Sequence, residues 1–101
     1  MSYRTVFDVK NQGTNFYAVF DFSKDLAVGE TISTASVAAV VYSGTDAGVA
    51  GIILGAATVS GKQVTQTITG GVIGVTYLLI CAIATSATKV RMQDGYLAVV
   101  Q

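Results

Sequence analysis

Between Thr31 and Thr88 only two side chains, Asp46 and Lys62, are of the Asp, Glu, Lys or Arg kind. Most of that long middle is Val, Ile, Ala, Leu, Gly, Ser and Thr. Over the whole chain 12% of residues are charged and 51% hydrophobic, against a usual charged share of ~25%. A soluble monomer normally needs a more charged surface. Much of the outer surface is therefore expected to be covered, by identical subunits or by a partner. Six basic and six acidic side chains give a net charge of +0. Binding to nucleic acid by phosphate neutralisation is not expected from such a balance.

The most apolar run, GGVIGVTYLLICAIATS from Gly70 to Ser86, must either cross a membrane or be buried in protein. A helical span needs about 20 predominantly apolar residues. The run from Val72 to Ala84 is shorter, is interrupted by Gly74, Thr76 and Tyr77, and opens on a Gly-Gly turn signal. Its β-branched and aromatic content suits a pleated strand. As a strand from Val75 to Thr85 it places Val75, Tyr77, Leu79, Cys81 and Ile83 on one face. The other face carries Thr76, Leu78, Ile80, Ala82 and Ala84, and is nearly as apolar. Only one face can enter a two-sheet core, so the second is expected to meet another chain. No partnership with a membrane is expected.

Elsewhere the hydrophobic period is close to two and the punctuation is Gly, Asn, Ser and Asp. Thr5 to Val9 is a short alternation. In Phe16 to Phe22, residues Phe16, Ala18, Phe20 and Phe22 share a face. Thr31 to Ser43 is a long β-rich run whose piece TASVAAVV is the one helical competitor. Ile52 to Leu54 and Ala56 to Val59 are expected as two short strands, followed by a tight turn at Ser60-Gly61-Lys62. Gln63 to Thr69 sets Val64, Gln66 and Ile68 against Thr65 and Thr67. The last strands, near Val90 and from Tyr96 to Val100, are expected to be joined through Gln93-Asp94-Gly95. Seven or eight strands with such turns predict an all-β, antiparallel, immunoglobulin-like β-sandwich. Residues 1–14 form an N-terminal arm or first strand, and residues 15–101 the sandwich. The arm could add a strand to a neighbour's sheet edge or be the first strand of its own.

The chemistry of enzymes is thin here. There is no histidine, the commonest general base and neutral metal ligand. The single cysteine, Cys81, excludes an internal disulfide and reads as a small apolar side chain. Asp21, Asp25 and Glu30 lie close in sequence but match no glycosidase or calcium motif. Asp21 is expected to cap a turn and stay solvated. GVAGIILG lacks the Gly-Lys-Ser/Thr of a phosphate loop. Lys89 and Arg91 make only a weak basic patch. No catalytic residue, metal, cofactor or small-molecule substrate is expected, and the N-terminus does not read as a signal peptide.

Several short motifs stand in order: Asp21-Phe22-Ser23, then L-A-x-G-E-T-I-x-x-A-x-V from Leu26 to Val37, with Ser43 to Asp46 as S-G-T-D. Further on stands V-S-G-x-x-V-x-Q-x-I-x-G-G-x-x-G-x-T-Y from Val59 to Tyr77, and then Thr85-Ser86. Their order and spacing, over roughly Phe16 to Val100, resemble a family of small virion proteins of tailed bacteriophages labelled fibre-tail adaptors. The chain departs from that pattern at Lys10-Asn11-Gln12-Gly13, where a proline is usual, and at Ala87, where a glycine is usual. The resemblance implies an immunoglobulin-like structural protein of the virion, assembled in the bacterial cytoplasm, with no catalytic residues to carry over. Gly70, Gly71 and Gly74 would turn the chain sharply into the long strand beside Tyr77. That placement resembles the corner tyrosine of immunoglobulin-like domains, although Tyr77 could equally be ordinary core.

The expected function is a non-enzymatic, multimeric adaptor linking tail or neck to fibres, with other virion proteins and copies of itself as partners. The alternatives are a capsid decoration protein and a receptor- or carbohydrate-binding module. The expected contact residues are Leu78, Ile80 and Ala82, provided the odd-numbered face is the core. Val49, Ile52 and Ile53 are the second set.

Overall fold

The structure, a computed structural model, describes residues 4–7 and 10–101. It is all-β. Among the described residues eight strand segments follow one another: β1 (Arg4–Val6), β2 (Lys10–Asn11), β3 (Phe16–Asp21), β4 (Ile32–Ser43), β5 (Ile53–Ser60), β6 (Gln63–Ile68), β7 (Thr76–Thr85) and β8 (Val90–Val100). A 3-10 turn, Val49–Ile52, precedes β5. Among the described residues no helix is long and apolar enough to cross a membrane. The alanine-rich piece TASVAAVV lies within β4, because pairing with β7 rewards its β-branched residues more than helix propensity rewards its alanines.

The strands form two sheets. In the larger the order is β1-β8-β7-β4, with β2 laid along the same edge of β8 as β1; in the smaller it is β3-β6-β5. The expectation of purely antiparallel pairing fails at one edge. β1 and β2 both run parallel to β8, in a register that takes Val6 to Tyr96 and Lys10 to Val99. Parallel neighbours need a long connection, and here the whole domain supplies it between the first and last strands. The described part of the arm is thus a strand of its own sheet.

Two expected breaks are absent. Gln93-Asp94-Gly95 does not turn, and β8 is one strand of 11 residues whose register with β7 is unbroken from Val90 to Ala98. Gly95 is buried opposite Leu79, so this glycine marks close packing inside a strand. Likewise Ile52–Leu54 and Ala56–Val59 are not separate strands. β5 runs from Ile53 through both with a bulge between Leu54 and Thr58, and Ile52 closes the 3-10 turn before it. The Gln66 side chain fills the bulge from β6, its Nε2 donating to the carbonyls of Leu54, Gly55 and Thr67. The β5–β6 hairpin turns on Gly61 and Lys62, with Gly61 at a φ of 60°, a conformation that glycine adopts without strain.

The core lies between the sheets. Ala18, Phe20, Val64 and Ile68 face Tyr77, Leu79, Cys81, Ile83, Leu97 and Val99, all buried. Each large apolar side chain so buried contributes about 1.5–3 kcal/mol. Phe7 closes the β1 side with its ring edge-on to Phe16 and Phe20 at 5.8 and 5.4 Å. Cys81 is part of this packing, and burial pushes its thiol up to about 12.

Candidate functional site

Along β7 every odd residue from Tyr77 to Thr85 is buried and every even one is half-buried. The outward side chains are therefore Leu78, Ile80, Ala82 and Ala84, and β4 and β8 flank them. Leu78 stands between Val40 and Tyr96, Ile80 between Ala38 and Asp94, Ala82 between Ser36 and Met92, and Ala84 between Thr34 and Val90. The Tyr42 and Tyr96 rings meet at 4.5 Å on the same face. Val40, Tyr42, Val90 and Met92 are 43–65% exposed. In these rows Asp94 is the one charged side chain. Three strands ~4.8 Å apart and about five rows deep make an apolar face of roughly 450 Å². That is within the range of about 300–600 Å² for the largest apolar patch on a monomer, a patch that is often functional.

The expected contact residues part company here. Leu78, Ile80 and Ala82 sit together at the centre of this face, and the odd face is the core, as their choice required. Val49 and Ile53 are partly buried and pack against the core, whereas Ile52 is only 3% exposed and belongs to the core itself. Ile52 has no side-chain surface to offer. The 3-10 turn at Val49–Ile52 winds it inward beneath Thr69, whose N–H donates to the Ile52 carbonyl.

Both ends of β7 are pinned by polar side chains. At the start, the hydroxyl of fully buried Tyr77 accepts the Val72 N–H at 2.8 Å and donates to Asp46 Oδ2 at 2.7 Å. Burial, then the Asp46 bond, raise the phenol above its ordinary value. The turn leading in depends on Gly71. Its φ is +95°, and a Cβ there would stand 2.8 Å from Val99 Cγ2 and 3.4 Å from Tyr77 Cε2.

At the far end, Glu30 accepts the Ala27 N–H on Oε1 at 2.9 Å and the Thr85 hydroxyl on Oε2 at 2.7 Å. These bonds hold its carboxyl below the usual range, the Ala27 N–H most, with Lys89 and Arg91 adding attraction against the cost of burial. Thr31 and Ser86 close the same junction: the Ser86 N–H donates to the Thr31 carbonyl and the Thr31 N–H to Ser86 Oγ. The neighbouring carboxylate, Asp21, caps its turn by accepting the Ser23 N–H and stays exposed. Among the described residues no group of three or more His, Cys, Asp or Glu side chains could hold a metal ion.

Lys10 escaped the sequence reading, because a lysine is ordinarily a solvated residue. Its side chain is buried, and Nζ donates to the carbonyls of Asn11, Gln12 and Gly70. Burial lowers its pKa. Gln12 Nε2 donates to the Gly71 carbonyl beside it, so the arm is fastened to the turn that leads into β7.

Two pairs of the motifs singled out in the sequence thus meet in space: S-G-T-D with G-G-x-x-G-x-T-Y through Asp46 and Tyr77, and L-A-x-G-E-T-I with T-S through Glu30 and Thr85. A family model described as "Podophage GP4 fiber-tail adaptor protein gp77" matches residues 10–97, which span both pins and the whole of β7. No curated protein and no solved structure gives a match.

Proposed function

The chain belongs to the podophage fibre-tail adaptor family, structural and non-enzymatic components of the virion tail that link it to the fibres, and we propose that it makes this link through the outer face of the β8-β7-β4 sheet. The observation that carries the proposal is the row Leu78, Ile80 and Ala82, half-buried in the chain alone and flanked by exposed Val40, Tyr42, Val90 and Met92. Covering that face removes apolar area from water at ~25 cal/mol per Å². Lysine at position 80 would place an ammonium at its centre without touching the core. Particles assembled with Ile80→Lys are expected to lose fibres or the adaptor itself, while the purified variant keeps its β-sheet circular dichroism. Normal fibre content in such particles would rule this face out.

The same proposal takes the two sheets as an immunoglobulin-like sandwich and the working unit as a homo-oligomer. The strand order, with the first strand parallel to the last and Tyr77 bonded to backbone five residues upstream at the corner into β7, supports the former. The nearly charge-free middle of the chain supports the latter. Quantitative mass spectrometry of separated heads and tails tests the place in the particle. Small multiples travelling with tails are the expected result, and hundreds of copies on heads would instead indicate a decoration protein.

A further inference from the structure

The core is buried more deeply on one side of the molecule than on the other. β3, β6, β7 and β8 each carry at least two buried residues. β4 and β5, 20 residues together, carry none. Their inward side chains, Val37, Ala39 and Val41 of β4 and Ile53 and Ala57 of β5, pack against the core but remain partly exposed, as does Val49 between them. From Ile32 to Ser60 the one Asp, Glu, Lys or Arg residue is Asp46, and Tyr77 already engages it.

The edges of the sheets differ in the same way. Proteins blunt an exposed edge with charge, proline, bulges or short strands. β1 and β2 are short pieces, β3 has six residues and ends on Asp21, and β5 is bulged in its middle. β4 has 12 residues, no charge and no proline. Its register irregularities fall only at its ends, between Ile32 and Thr34 and between Val41 and Ser43. No described strand pairs with its outer edge.

We infer that this flank is covered by a second copy of the chain, with the β4 strands of two protomers paired antiparallel about a two-fold axis near Ala38. A flank with so little charge disfavours a charged partner on desolvation grounds, and the chain's own flank carries only Asp46, which Tyr77 engages. Antiparallel pairing is the mode in which a strand can meet itself under two-fold symmetry. Centred on Ala38, it sets Val37 opposite the partner's Ala39 and Ser36 opposite the partner's Val40, so side chains on each face meet their own kind. The small side chains of Ser36, Ala38 and Ala39 leave room for close approach. Twelve residues at ~3.3 Å and a sandwich edge ~15 Å deep give about 600 Å² per copy, the lower end of what each partner contributes to a stable complex. The pair would share one continuous sheet and double the face around Ile80. This deepens the oligomer part of the preceding reading and is independent of where the protein sits on the particle.

Sedimentation equilibrium of the purified full chain tests it. A dimer is expected, together with at least tenfold weaker association for Ala38→Lys, which sets like charges opposite each other, at unchanged circular dichroism. Ala38→Cys should form a disulfide-linked dimer on mild oxidation, and Val28→Cys, exposed on a distant loop, should not. A native chain monomeric at several hundred micromolar would overturn the inference. So would a dimer that Ile80→Lys, one strand in from the paired edge, dissociates as strongly as Ala38→Lys does. Loss of fibres from Ile80→Lys particles with the dimer intact would leave the inference standing and speak only to the adaptor face.

Discussion

Glu30 and Thr85 stand 55 residues apart in sequence and 2.7 Å apart in space. Because the folded carboxyl titrates below its unfolded value, the stability that it contributes is present above the ordinary carboxylate range, ~4.3 for Glu. That stability is lost as pH falls through the folded pKa. Glu30→Gln is expected to unfold at lower denaturant than the native chain at pH 7. The two curves should converge as pH falls below ~4, and a gap that persists there would assign the role of Glu30 to packing. Tyr77 makes a sharper case. Tyr77→Phe keeps the ring but leaves the Val72 N–H and Asp46 without this partner. A loss of about 1–3 kcal/mol is expected in urea unfolding, and a loss below ~0.5 kcal/mol would show that water replaces the hydroxyl. Gly71→Ala combines a left-handed φ with a 2.8 Å contact on Val99 and should cost at least as much.

Among the elements, β7 was legible in the sequence and β8 was not, for physical reasons that differ. The alternation of Tyr77, Leu79, Cys81 and Ile83 with Leu78, Ile80 and Ala82 is a local property, and burial follows it residue by residue. In β8 the local signal, Asp94-Gly95, reads as a turn, but nine consecutive pairings with β7 outweigh it. β5 was split for the same reason at Gly55, where Gln66 supplies the missing ladder partners. Lys10 was illegible because its three carbonyl acceptors are assembled only when the arm lies on β8. The outward row at Leu78, Ile80 and Ala82 could be chosen from alternation alone, whereas Ile52 could not be placed, since a 3-10 turn inverts the period-two rule. Cys81 gives β7 its own probe. With the thiol pushed up to about 12 and no exposure, alkylation at pH 8 should proceed only through global unfolding, at a rate that tracks denaturant stability. Labelling much faster than unfolding would mean that β7 opens locally.

At the scale of the whole molecule, charge is the scarce quantity. Net charge is +0, the sequence pI is about 6.0, and the long middle holds two ionisable residues of the Asp, Glu, Lys or Arg kind. Neither the face around Ile80 nor the flank along β4 can be held to a partner by ion pairs in number. Association through either must draw on apolar burial and strand pairing. These respond to salt in opposite ways from electrostatic contacts. Sodium chloride at 1 M shortens the Debye length to about 3 Å and removes most surface attraction. Sulfate, excluded from protein surface, strengthens burial. Self-association is therefore expected to persist in 1 M sodium chloride and to tighten in ammonium sulfate, measured by sedimentation equilibrium at fixed pH away from 6. Dissociation by sodium chloride alone would mean that the few charges, Asp94 and Arg91 among them, carry the contact, and the apolar face and flank would then be surfaces awaiting a different neighbour in the tail.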